Sequence, residues 1–173
     1  MKIKLKSVPR DIMPMAGAKK SNPVGMIVSD TTTDDNQINS SVKPVDEDKA
    51  NIEAEKGEIL LKFDMGGMFN IKGKKHYQGG TPLIADEGDF IFSDDKDLAI
   101  TTKEKEMFGF KKGKSSKSNS TPAKVLAKEA PPKEYNKFLS ILKDNKADSI
   151  AKRTAILMME KYQNKIGQVA YLQ

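Results

Sequence analysis

Between Met13 and Asn51 the chain offers no sustained hydrophobic periodicity, and the run SDTTTDDNQINSSVKPVDEDK within it consists largely of turn formers and charges. Ordering the backbone costs about 1–2 kcal/mol per residue. A segment with so few apolar side chains cannot offset that cost by its own burial. The expectation is an arm that is mostly non-helical and leans on other chains more than on its own. Hydrophobic residues are 37% and charged residues 31% of the 173, against about 45–50% apolar content in ordinary globular domains. Two small modules, joined and flanked by extended segments, fit this balance better than one compact globule.

The expected fold class is α+β, with an extended arm over residues 1–50, a small antiparallel β module over 51–101, a basic flexible linker over 102–120 and a helical module over 121–173. MKIKLK alternates with period two and predicts a short strand that adds to a sheet edge. GEILLKFD and MFNIKG predict two strands turned by Gly66 and Gly67, GDFIF a third, and DLAIT at 97–101 a last one. The expected β core is Ile59, Leu61, Phe63, Phe69, Ile71, Leu83, Ile84, Phe90, Phe92, Leu98 and Ile100.

Beyond the low-complexity stretch MFGFKKGKSSKSNS the period becomes helical. Thr121 before Pro122 is a helix start, a hydroxyl cap followed by a residue whose missing N–H costs nothing there. Pro131 and Pro132 end that helix, and a second is predicted from Pro132 to about Asp144. Asn145 is the expected cap of a third, with Asp148 completing a capping box. Its apolar stripe is Ala151, Thr154, Ala155, Met158, Met159, Tyr162, Ile166 and Val169. Tyr162, Ile166, Val169 and Leu172 form one face over three turns. The short helices before them cover only part of such a stripe, so these four are expected to dock on a neighbouring subunit or on the β module.

The net charge of +6 is laid out in blocks. Residues 1–20 carry six basic side chains against one acid, residues 28–58 nine carboxylates against three lysines, and residues 102–120 six lysines against two acids. Such blocks favour contacts with oppositely charged surfaces. The chain has no cysteine, which removes disulfides, thiolate zinc sites and cysteine nucleophiles, and fits a reducing compartment. No run reaches the roughly 20 apolar residues of a membrane span, and MKIKLKSVPRDIMPMAG has no signal-peptide core. The expectation is a soluble, unexported chain that keeps its first residues.

His76, in KKHYQGGTP, is the only histidine. It has no second histidine or cysteine to complete a transition-metal site, and the chain holds no nucleophile elbow. It reads as a polar turn residue, without catalytic or metal role and without a cofactor. QGGTP lacks the helix and lysine of a phosphate loop and reads as a β-turn. Asp46, Glu47 and Asp48 lack the spacing of a calcium loop. Lys111, Lys112, Lys114 and Lys117, beside Phe108 and Phe110, are possible nucleic-acid contacts, although a flexible linker explains them as well.

VDEDKANIEAEKGE (45–58), KKHYQGGTPL (74–83), GDFIFSDDKDLAI (88–100), a basic spacer, TPAKVLAKE (121–129) and AKRTAILMMEKYQNKIGQVAYLQ (151–173) occur in that order. The series resembles the N-terminal region of structural proteins of tailed bacteriophages infecting Bacteroidetes, above all crAss-like phages. The pairing of an ExGE element with HxxGG is more distantly similar to β modules of phage tail proteins. The resemblance covers roughly residues 1–12 and 45–173, and Tyr77 departs from the small polar residue expected there. It implies a non-enzymatic virion component, made in the host cytoplasm and placed in a portal, tail or internal-cargo assembly among other virion subunits in multiple copies. The similar chains continue past the position of Gln173, which implies an N-terminal product or a short member. On this resemblance His76, Gly79, Gly80 and Pro82 shape a structural turn, and Glu53, Glu55 and Glu58 form a polar face toward a partner. The alternative reading is a basic packaging or ejected protein that contacts nucleic acid.

Overall fold

A computed structural model describes residues 41–42, 44–63, 66–110 and 118–173. The predicted strand at residues 2–6, most of the arm, and Lys111, Lys112, Lys114 and Lys117 lie outside the described residues. Six strands and four helices follow in order: β1 (Ser41–Val42), β2 (Ile52–Ala54), β3 (Ile59–Lys62), β4 (Gly67–Ile71), β5 (Thr81–Leu83), β6 (Phe90–Phe92), α1 (Thr102–Met107), α2 (Pro122–Glu129), α3 (Pro132–Lys143) and α4 (Ser149–Leu172). A 3₁₀ turn, His76–Gln78, lies between β4 and β5.

The fold is α+β, built in three layers. A four-stranded sheet of order β1-β4-β3-β6 is the middle layer, and the pair β2-β5 lies over one of its faces. Leu60, Ile71 and Ile91 on that face meet Ala54, Leu83 and Ile52 of the small sheet. Ile59, Leu61, Met68 and Phe92, on the alternate positions, face the helices instead. The middle sheet is mixed, because β1 runs parallel to β4 while its other pairings are antiparallel. Residues 41–42 and 44–50 therefore belong partly to the β layers: Val45 N–H also donates to Pro82 O at 3.0 Å.

The expectation of two separate modules is corrected by the main core. Ile59, Met68 and Phe92 of the sheet pack in one cluster with Val125, Leu126, Tyr135, Leu139, Met159, Tyr162, Ile166 and Val169 of α2, α3 and α4. A full side-chain burial of this kind contributes about 1.5–3 kcal/mol, and neither half retains it alone. The linker expectation changes as well. Thr101 and Glu104 form a reciprocal capping box that starts α1, and Phe110 is buried in the shared core. Residues 97–101 make no strand; Ile100 only bridges Ser120.

Of the expected β core, Phe63, Ile84, Phe90 and Leu98 are exposed, while Leu60 and Met68, outside that expectation, are buried. A middle sheet covered on both faces buries neighbouring positions, so alternation ceases to mark one inside. The helix starts at Pro122 and Pro132 stand as expected. The third cap moves: Asp148, not Asn145, accepts from the N–H groups of Ile150 and Ala151, both at 2.8 Å.

Candidate functional site

The polar residues picked out in the sequence gather where β2, the 74–80 turn and the segment after β6 meet. Glu58 accepts the Glu55 N–H at 2.8 Å. This fixes Glu55, whose carboxylate accepts the His76 N–H at 3.2 Å and the Lys75 ammonium at 3.4 Å. Glu53 projects from the outer face of β2, and its Oε1 lies 2.7 Å from His76 Nδ1. That contact, above all, raises the His76 pKa above its ordinary value, with the Glu55 and Glu58 charges acting in the same direction.

Both glycines of QGG have the conformation expected of a turn, with φ of 87° at Gly79 and 51° at Gly80. They differ in surroundings. A Cβ on Gly80 would sit 2.0 Å from Glu53 Oε1, whereas nothing lies within 4 Å of one on Gly79. Pro82 pairs with Glu53 across the small sheet. Gly80 thus lets the turn close over the carboxylate that His76 holds.

Asp94, which sequence reasoning passed over, ties this turn to the rest of the chain. Its Oδ1 accepts the Thr121 hydroxyl at 2.7 Å and the Lys124 ammonium at 2.8 Å, and its Oδ2 is 4.0 Å from Lys75 Nζ. Burial opposes the charge, but the Lys124 and Thr121 hydrogen bonds outweigh it and hold the Asp94 carboxyl below its usual range. The Thr121 hydroxyl therefore goes to Asp94 rather than capping α2, as its sequence position predicted. Gly57 has room only for hydrogen here, since its Cβ would stand 2.7 Å from Asp94 Oδ2. The neighbouring Ser93 carbonyl accepts the Ala123 N–H at 3.0 Å.

Two amide side chains finish the middle sheet. The Gln173 amide accepts the Ser93 N–H at 2.9 Å and donates to the Ile91 carbonyl at 3.0 Å, behaving as a peptide group would on the outer edge of β6. Asn136 of α3 does the same to Met68 of β4, with both bonds at 2.8 Å. Asn51 pairs with both backbone groups of Ala85 in the same way. Elsewhere Lys62 is buried between Asp86 and Asp89; burial alone would lower its pKa, but the two carboxylates reverse that and raise it.

The other predicted residues are placed as follows. Tyr162, Ile166 and Val169 are buried in the chain's own core with Ile59, Met68 and Phe92 of the sheet, and Leu172 packs against it, so of the two expected docking places, a neighbouring subunit or the β module, the stripe takes the second. The Tyr162 hydroxyl donates to Glu134 at 2.6 Å, and burial together with that carboxylate pushes the phenol up. Phe108 and Phe110 stack on each other, and Lys165 lies over the Phe110 ring. They are not splayed for bases.

Chemically, the arrangement is a network of charge-assisted hydrogen bonds with one exposed imidazole. Beside it, a cleft of about 430 Å³ is lined by Glu47, Ala50, Asn51, Ile52, Glu53, Gly79 and Pro82. Among the described residues no group of three or more His, Cys, Asp or Glu is placed to hold a metal ion. Glu53, Glu55 and Glu58, expected to face a partner, are first of all partners of His76, Lys75 and the backbone of Glu55. The close approach of Gly57 to Asp94 is permitted by the glycine in EKGE, which does not by itself specify a distant partner. Compared with protein-family models, curated proteins and solved structures, the chain matches none of them.

Proposed function

We infer that the chain is a non-enzymatic structural subunit of a tailed-phage virion, held by protein–protein contacts in a portal, tail or internal-cargo assembly. The observation that carries this reading is the convergence at Ser93 and Asp94. Gly57, Lys75, Thr121, Lys124 and Gln173 all reach these two residues. They come from the other segments on which the resemblance rests. The ordered series thus consists of residues that hold one another in place, as expected when a sequence signature describes a scaffold rather than a reaction centre. Virion partners, and a location in the particle after synthesis in the host cytoplasm, belong to the same proposal. No helix among the described residues is long and apolar enough to cross a membrane.

Mass spectrometry of purified particles tests the reading. Peptides of this chain at stoichiometric abundance support it, and their absence from intact particles overturns it. The nucleic-acid alternative rested on lysines that lie outside the described residues and on aromatic rings that the core has claimed, so no structural observation favours it.

A further inference from the structure

The helical part of the chain and the residues before it carry opposite net charge. Residues 121–173 hold ten Lys and Arg against five Asp and Glu, whereas residues 44–101 hold thirteen Asp and Glu against seven Lys. The helices cover one face of the middle sheet and the β2-β5 pair covers the other. Part of the acidic excess, at Asp46, Glu47, Asp48 and Glu53, lies on the β2 side, while Asp94 reaches back to Lys124 of α2.

Each side also presents a shaped surface. On α4, the face opposite the buried stripe carries Ile150, Arg153, Leu157 and Lys161 at spacings of three, four and four. All four are exposed, Ile150 at 78% and Leu157 at 62%. Apolar and basic side chains alternate along it, with Glu160 the one acid beside the stripe. On the far side, the cleft beside β2 is lined by Ala50, Asn51, Ile52, Gly79 and Pro82 together with the acids Glu47 and Glu53. Asp46 and Asp48 flank it in the adjoining turn, where Lys49 pairs with Asp46 at 2.6 Å. The acids of the cleft complement the bases of the stripe.

We propose that these are the two halves of one interface, and that a second copy of this chain seats its α4 stripe in the acidic cleft of the first. This rests on the structural-subunit reading and names one of its partners. Because stripe and cleft lie on opposite sides, the contact is heterologous: it propagates head to tail and yields a ring or a filament rather than a two-fold dimer. Charge complementarity orients the approach and fixes the register.

Sedimentation velocity of the full chain at micromolar concentration tests the proposal. In low salt the protein forms species larger than a dimer, and 0.5 M salt shifts it toward monomer with a loss in affinity of about tenfold or more. Reversing the stripe (Arg153→Glu with Lys161→Glu) or the cleft rim (Glu47→Lys with Asp48→Lys) leaves each variant monomeric with a wild-type circular dichroism spectrum. Mixing the two variants restores assembly, because each then meets the opposite charge. A wild-type chain that stays monomeric in low salt, or variants that fail to assemble when mixed, overturns the proposal. Detection in particles is measured separately, so a monomeric chain that is nevertheless a virion component refutes the head-to-tail contact and leaves the virion reading standing.

Discussion

Around Ser93 and Asp94 the contacts are polar, partly open to water and made between segments far apart in sequence. Around Phe92, Leu126 and Val169 they are apolar and closed. The first region sets which segments meet, since each carboxylate accepts particular donors in particular directions. The second supplies most of the stability, because burial is non-directional and scales with area. A substitution in the closed region should therefore act on the whole molecule, and one in the polar region on a single joint.

The largest expected effect is that of Val169→Asp. The site is fully buried, and a carboxylate without a partner there costs about 4 kcal/mol or more, a large share of the total of about 5–15 kcal/mol for a domain. Because sheet and helices share the cluster, strand and helix signals in circular dichroism should vanish together. A surviving strand signal would separate the two halves and refute the shared core.

A middle effect comes from the paired glycines of the turn. Gly80→Val meets both a left-handed backbone and the Glu53 carboxylate, so it should cost about 3 kcal/mol. Gly79→Val meets the backbone term alone, about 1–2 kcal/mol. Urea unfolding of the two variants measures the gap, and equal losses would mean that Glu53 does not press on the turn.

The smallest effect belongs to His76→Ala, and it is defined by its pH dependence. The His76 pKa is raised in the folded chain, so its contribution is fully present below the unfolded value of about 6.5 and fades as pH rises through the folded value. The ring is exposed, and solvent screens the pair. Melting temperatures of wild type and variant should differ slightly in mild acid and converge in mild alkali. A difference that grows with pH would assign the opposite charge logic to the turn.

Much of the element order could be read from Pro122, Pro131, Pro132 and the strand runs, because these are local signals. The three layers could not. Leu60 and Leu61 are adjacent and both pack, one on each side of the sheet, and a period of two cannot express that. Helix α1 was hidden by its lack of an apolar face, although Thr101 and Glu104 spelled its cap. In the polar region the residues around His76 were identifiable as a turn, but Asp94 lay in a run of acids, SDDKD, where nothing distinguishes the one carboxylate that three segments use. Long-range pairing is a property of geometry that a single segment does not carry.

The Gln173 amide on the edge of β6 has a consequence for how the protein is made. Ser93 leaves the ribosome 80 residues before the side chain that accepts its N–H. At about 5–20 residues per second, that is an interval of about 4–16 seconds. Throughout it the outer edge of β6 has no cap and the helix-facing side of the sheet has no α4. Neighbouring ribosomes on one message display the same open strand at the same time, and an unpaired edge accepts any extended chain. In the folded chain that edge is closed by one side chain, so the hazard ends when the last turn of α4 docks.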